Sequence, residues 1–270
     1  MKIKSFLIAI LFAGLSSVNS FGQKQEFKLS LAEWSLHRAL GKGTITNLDF
    51  PKIAKQTYGL DAVEYVSIYF KGKAEDNGYL QSLKDSCTKY GVKSLLIMVD
   101  GEGNLADTSL TARTKAIENH YKWVKAAKFL GCHSIRVNAG GRGTKEQMQV
   151  AAIDALSKLS DYAAKFGINV IVENHGGNSS NGKWLSGIMK AVNKPNCGTL
   201  PDLGNFYEYD RYQGVADMMP FAKGVSGKTY DFDAAGNETK IDYVKMMKII
   251  YDAKYSGYID VEYEGEKLSE

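Results

Sequence analysis

The chain of 270 residues is 24 % charged, with a formal net charge of +4, and holds 4 Pro, 3 Cys and 4 His. It has no low-complexity tract and no block of Lys and Arg interleaved with aromatics, which argues against disordered linkers and against nucleic acid as a partner. Part of the positive charge sits in the first residues, so the remainder is only mildly basic.

Those first residues read as a leader rather than as fold. Lys2 and Lys4 precede an apolar run, Phe6 to Leu15, and the small residues Val18, Ser20 and Gly22 follow. This is the layout of a secretory signal peptide over residues 1–22, with cleavage after Ser20 or Gly22. A periplasmic or secreted mature chain, 23–270, is expected. The run is too short for a stable span and no later run is longer, so no stable membrane insertion is expected once the leader is removed.

From there short apolar runs alternate with helix-like stretches. Strands are expected at 29–36, 60–67, 93–99, 133–139, 168–174, 197–202, 223–230 and 258–264. The first contains Trp34 and runs into His37; the second carries Glu64 and Tyr65. A helix is expected over 110–130, where Ala112, Ala116, Trp123, Ala126, Ala127 and Leu130 fall near helical spacing, and another over 146–166. The fourth strand puts Ser134, Arg136 and Asn138 on one face, opposite Ile135 and Val137. The fifth closes on Glu173, followed by His175 and a Gly- and Ser-rich loop, 176–182, that would cover a pocket. The sixth ends at Asp202, with Asn205 and Phe206 just beyond. The seventh shares Ser226, Lys228 and Tyr230 on one face. The eighth shares Tyr258, Asp260, Glu262 and Glu264, opposite Ile259, Val261 and Tyr263. Too few residues follow Glu264 for an eighth helix, so that helix is expected to be missing or truncated and the Ile259 face to need another cover.

Eight strand–helix units predict an α/β fold, a single closed (β/α)₈ TIM barrel over 23–270. Such barrels carry their chemistry at the C-terminal ends of the strands, where Glu64, Asn138, Glu173, Asp202, Lys228 and Glu262 are expected to meet. Cys87, Cys132 and Cys197 fit no metal spacing and cannot all pair, so buried thiols are expected. His120 and His133 look structural. Carboxylates from separate strands, Glu173, Asp202 and Glu262, suit a hard divalent cation such as Mn²⁺ or Mg²⁺. A metal there would polarise a carbonyl, and Glu173 and Glu262 on opposite walls would move a proton between adjacent carbons. The alternative is that these carboxylates are ion-paired to Arg136 and Lys228, which ring the same mouth. Trp34, Tyr65, Phe206 and Tyr230 are candidates for stacking on a substrate ring.

Several of these runs resemble one family. Val172-Glu173-Asn174-His175-Gly176-Gly177, Leu200-Pro201-Asp202-Leu203-Gly204-Asn205-Phe206, Val225-Ser226-Gly227-Lys228 and Ile259-Asp260-Val261-Glu262-Tyr263-Glu264-Gly265 are similar to the strand-end motifs of the xylose-isomerase-like TIM barrels. Trp34-Ser35-Leu36-His37 and Ile135-Arg136-Val137-Asn138 extend the resemblance over essentially the whole mature chain. The resemblance implies a small carbohydrate substrate and a sugar isomerase or epimerase reaction. It also implies a metal on Glu173, Asp202, Ser226 and Glu262, with His37, Glu64, Arg136, Asn138, His175, Asn205 and Lys228 on the substrate. Ser226 stands where the family has His, and a neutral hydroxyl is a poor ligand beside imidazole. Asn205 likewise stands where a His is frequent. His175 or His37 would compensate, or the chain has lost its metal and holds sugar with Lys228 and Arg136. Two other outcomes stay open: a keto-glycoside lyase using the same proton abstraction, and a non-catalytic carbohydrate-binding protein. A phosphodiesterase like the related apurinic endonucleases would need a His-rich metal cluster that 4 His do not supply.

Overall fold

The computed structural model describes residues 27–266; the expected leader lies outside them. Eight strands form one parallel sheet: β1 (Lys28–Ala32), β2 (Ala62–Val66), β3 (Lys93–Met98), β4 (Ser134–Asn138), β5 (Asn169–Glu173), β6 (Cys197–Leu200), β7 (Val225–Thr229) and β8 (Tyr258–Tyr263). They are ordered β6-β5-β4-β3-β2-β1-β8-β7, and parallel bridges Thr199↔Ala222 and Asp202↔Ser226 close the ring between β6 and β7. The expected barrel is present.

The helices lie in the crossovers. Both α1 (His37–Gly41) and α2 (Phe50–Gln56) separate β1 from β2. Each later crossover holds one: α3 (Asn77–Tyr90), α4 (Leu110–Leu130), α5 (Lys145–Ala164), α6 (Gly182–Val192), α7 (Arg211–Met218) and α8 (Tyr243–Asp252). Among the described residues no helix follows β8. None of the described helices is long and apolar enough to cross a membrane. The expected helix over 110–130 is α4, capped by the Ser109 hydroxyl on Ala112 N and ended by Gly131 at φ 82°. Thr144 and Gln147 form a capping box at the start of α5.

The first strand is shorter than expected. It stops at Ala32, and Glu33–Leu36 is a 3-10 turn. The buried Glu33 carboxylate accepts Val66 N at 2.7 Å, the N–H that a longer β1 would use. That turn also crosses the end of β8, where Ser35 Oγ donates to Val261 O and accepts from Tyr263 N. With it the outer face of β8 is partly covered: Ile259 is buried, and Val261 and Tyr263 are half-buried.

Alternation sorts two cores. Outward residues such as Tyr65, Ile97, Ile135, Val137, Val170 and Val172 pack under the helices. Inward residues form a small apolar layer of Ala32, Val66, Leu96, Met98, Ile171 and Leu200. Buried polar residues Ser30, Glu64, Ser134 and Asp260 lie at the start or middle of their strands. The mouth lies at the opposite end. The three cysteines are buried and free, as expected.

Candidate active site

A cavity of about 700 Å³ opens at the C-terminal ends of the strands, the end at which barrels of this kind do chemistry. Asp100, Arg136, His175, Asn205, Lys228, Glu262 and Glu264 give it polar walls; Trp34, Val66, Ile68, Met98, Tyr207 and Tyr230 give it apolar ones.

Its floor is built from register. Lys228 on β7 and Glu262 on β8 are direct neighbours across the ladder, so their side chains rise together. Lys228 Nζ donates to Glu262 Oε1 at 2.6 Å and to Glu264 Oε2 at 2.7 Å, and stands 3.6 Å from Asp202 Oδ2. Ser226 Oγ donates to the other oxygen of Glu262 at 2.7 Å. Asp202 Oδ1 accepts the backbone N–H groups of Gly204 and Asn205, both at 2.7 Å. On the far wall Arg136 Nε pairs with Glu173 Oε2 at 2.7 Å, and its Nη1 donates to Asp100 Oδ1 at 2.7 Å. Asn138 Nδ2 donates to the same oxygen of Asp100. Asn205 Nδ2 donates to Glu173 Oε1 at 3.1 Å.

These charges are buried, and burial sets their titration. It pushes Glu173 up to about 7, Arg136 and Lys228 opposing it and Glu262 adding to it. It pushes Asp202 up to about 7 as well, against the pull of Lys228. For Lys228 burial works against the charge, but Glu262, Asp202, Glu173 and Glu264 outweigh it and hold the ammonium well above the ordinary lysine range. Asp100 is held below the usual carboxylate range: burial raises it, and the guanidinium of Arg136 wins.

Some expected site residues do not reach the cavity. Glu64 lies in the middle of β2 and points into the closed lower barrel, where Oε1 accepts Ser30 Oγ at 2.8 Å; Val66, two residues on, takes the place at the mouth. Tyr65 alternates outward, wedged between Phe50 and Phe70 with its hydroxyl on Cys87 and Ser94. Phe206 is buried against Gly214. Glu173 and Asp202, 2 % and 0 % exposed, lie just behind the cavity wall rather than on it. His37 stacks on Trp34 and donates Nδ1–H to Trp34 O, lining a neighbouring groove. His175 is on the cavity wall, while His120 and His133 hold Ala116 O and Ser134 Oγ, as structural residues do. The 176–182 loop is pinned rather than free to cover the site, since Ser180 Oγ donates to Asn205 O at 2.6 Å. Asp100, Glu264 and Tyr207 were not among the expected site residues. Asp100 directly follows the expected third strand and Glu264 shares the face of Glu262, so strand-end position was the available signal for both; Tyr207 sits on a loop with no such signal.

The divalent ion implied by the resemblance does not fit this arrangement. Among the described residues no three His, Cys, Asp or Glu side chains come together as a metal-holding group. The expected set of Glu173, Asp202, Ser226 and Glu262 is engaged by two cations of the chain's own, Lys228 beside Glu262 and Asp202 and Arg136 beside Glu173. Both oxygens of Glu262 are taken by Lys228 and Ser226, both of Glu173 by Asn205 and Arg136, and Oδ1 of Asp202 by two amides. Two oxygens of the set lack a hydrogen bond, Glu173 Oε2 and Asp202 Oδ2, and each faces a cation of the chain instead, Arg136 Nε at 2.7 Å and Lys228 Nζ at 3.6 Å.

The fold superposes on several solved structures. The chain superposes on an apo 3-keto-D-glucoside 4-epimerase from E. coli with a TM-score of 0.69 at 14 % identity, covering 91 % of this chain and 94 % of that one. It superposes on an IOLI protein with a bound zinc atom at TM-score 0.71 and 17 % identity, covering 87 % and 88 %. A xylose isomerase-like TIM-barrel protein from Mycobacterium smegmatis in complex with magnesium gives 0.66 at 15 % identity, covering 90 % and 92 %. Divalent metals are therefore found in barrels of this fold; at these identities the likeness concerns the fold alone. No curated protein sequence matches. The family model described as xylose isomerase-like TIM barrel matches residues 51–270, most of the length and all but the first of the strands just described, and the chain belongs to that family.

Proposed function

We propose that the protein is an exported sugar isomerase or epimerase that moves a proton on a carbon next to a carbonyl. The observation that carries the reading is the pairing of Glu262 with Lys228 on the cavity floor, a carboxylate 2.6 Å from a buried ammonium. Proton abstraction next to a carbonyl needs a base and a positive group where the oxyanion develops, and a buried cation acts there without having to reorganise. Glu262 takes the proton. Glu173, reached past Asn205 on the other wall, delivers a proton of its own to the adjacent carbon or to the opposite face, and the two carboxyls exchange protons with solvent before the next turnover. Trp34, Tyr207 and Tyr230 offer ring faces to the sugar, and His175, Asn205 and Asp100 offer hydrogen bonds to its hydroxyls. Because the ion does not fit as the side chains stand, no step is routed through Mn²⁺ or Mg²⁺, the ions whose usual donors are carboxylates.

A keto sugar, free or as a glycoside, is the substrate class. Phosphorylated sugars are mostly intracellular, which disfavours them for an exported protein. A keto-glycoside finds support in a second groove of about 810 Å³ that shares Tyr207, Tyr230 and Glu264 with the cavity and has room for an aglycone. The fold neighbour that acts on a 3-keto-D-glucoside fits the same choice. With a leaving group beside the abstracted proton, the same chemistry becomes elimination, so a lyase is the second reading. The test is solvent exchange. Keto sugars and keto-glycosides incubated in D₂O are followed by NMR: deuterium next to the carbonyl with a new isomer supports isomerisation or epimerisation, and release of the aglycone marks the lyase. Sugar binding with no exchange would refute both and leave a carbohydrate-binding protein.

A further inference from the structure

We propose that Lys228 is the site's built-in electrophile: its ammonium occupies the place that a divalent ion would take between Asp202, Glu262 and Glu264, and the reaction runs on it. The proposal deepens the isomerase reading of the same cavity and rests on it for the chemistry, though not for the binding claim.

Three observations converge. Nζ is 2.6 Å from Glu262, 2.7 Å from Glu264 and 3.6 Å from Asp202, so one cation already answers a carboxylate on β8 and one just beyond each of β6 and β8. A metal in the same space would need oxygens at about 2.0–2.2 Å and would stand beside the ammonium at close range in a poorly solvated site, where like charges repel strongly. Ser226 spends its proton on Glu262 Oε2 at 2.7 Å, so this position orients the carboxylate rather than donating a lone pair to a metal. Lys228 is held there from behind. A Cβ on Gly204 would come within 2.6 Å of Lys228 Cγ, so the stem passes where only glycine leaves room. Tyr243 Oη donates to Lys228 O at 2.8 Å and fixes the backbone. Lys228 is 2 % exposed yet lines the cavity, so its head faces the substrate rather than bulk water.

The proton balance closes without a co-reactant. A Glu262 oxygen takes the proton from carbon; the electron pair moves onto the carbonyl oxygen, which becomes an enolate held by the Lys228 ammonium. The same proton returned by Glu262 regenerates the substrate, and a proton delivered to the opposite face by a protonated Glu173 gives the epimer, after which Glu262 loses a proton to solvent and Glu173 regains one. Isomerisation needs in addition that the hydroxyl on the abstracted carbon pass its proton to the enolate oxygen, after which the former carbonyl carbon is protonated and the carbonyl stands on its neighbour. The lysine keeps its three protons throughout and acts by charge.

The probe is Mn²⁺ alone, read by the sharp EPR signal of the free aqueous ion. Wild-type protein is expected to leave that signal undiminished, and deuterium exchange into a keto sugar is expected to survive EDTA. Lys228→Gln removes the cation and adds a carbonyl oxygen, so the free-Mn²⁺ signal should fall stoichiometrically. Ser226→His with Lys228 retained should leave it unchanged, and the double variant should bind more tightly than Lys228→Gln. Stoichiometric loss of signal with wild type or with Ser226→His overturns the proposal, and both measurements stand even if Lys228→Gln fails to fold. Exchange that EDTA abolishes and Mn²⁺ restores also overturns it, while leaving the isomerase reading intact. An absence of exchange with no Mn²⁺ bound refutes the isomerase reading and leaves Lys228 as the cation of the site.

Discussion

Glu33 offers a test of how the barrel holds its buried acids, away from the cavity floor. Its side chain is fully buried, one oxygen accepts Val66 N at 2.7 Å, and Oε1 has no hydrogen-bond partner. Burial raises its carboxyl from 4.5 to about 8, only partly offset by the bond from Val66. A folded-state value above the unfolded one means that the folded protein binds the proton more tightly. The associated stability is therefore complete below about pH 4.5 and is lost as pH rises to about 8. Between pH 5 and pH 8 the loss is about 3 kcal/mol, at about 1.4 kcal/mol per unit. Glu33→Gln keeps an acceptor for Val66 N and cannot titrate. Its absolute stability will carry a cost of about 1–3 kcal/mol for a poorly partnered amide, so the informative quantity is the slope. Glu64, Glu173 and Asp202, each raised to about 7, shift both proteins alike and cancel in the difference. Thermal unfolding of both proteins from pH 5 to pH 8 should show the variant overtaking or approaching wild type, with the gap in Tm changing by roughly 6–12 °C. Parallel curves would refute the reasoning and mean that water or a donor reaches Glu33.

Four further outcomes are expected. Arg136→Met leaves the buried Glu173 and the half-buried Asp100 without their cation and should cost about 3–5 kcal/mol in urea unfolding; a loss under about 1 kcal/mol would mean that water replaces the guanidinium. Gly204→Ala drives a methyl to within 2.6 Å of both Lys228 Cγ and Tyr230 Oη, so deuterium exchange should fall about ten- to a hundredfold with the fold retained; unchanged exchange would mean that the lysine need not be held where it is. Tyr207 is 75 % exposed at the mouth, so Tyr207→Ala should leave stability within about 0.5 kcal/mol while raising KM for a keto-glycoside; an unchanged KM removes it from the substrate path. Mass spectrometry of the exported protein should find a chain beginning at Phe21 or Gln23, and an intact Met1 would refute the leader.

The amino-acid sequence by itself determined the barrel, the order of its strands and which side chains face inward. Periods of 2 and 3.6 are local, and they persist through folding because each element must bury one face: α4 runs over the residues whose spacing announced it, and Glu262 faces the interior because Ile259 and Val261 face the helices. Depth along a strand is not local. Glu64 and Val66 share an inward face, and only the stagger of neighbouring strands sends one into the closed interior and the other to the cavity. Tyr65 was misplaced although the alternation that turns Glu64 inward turns it outward, and Phe206 was misplaced because it lies on the loop beyond β6, whose path no local period fixes. The identity of the central cation was likewise decided in three dimensions. Glu173, Asp202 and Glu262 read as a ligand set in sequence, and Lys228 and Arg136 read as their neighbours. Which of them meet depends on the β7–β8 register that sets Lys228 beside Glu262 and on the path of its stem past Gly204. Coulomb attraction acts through space, and the folded barrel brought Lys228 within 3 Å of Glu262 and Glu264 and Arg136 within 3 Å of Glu173.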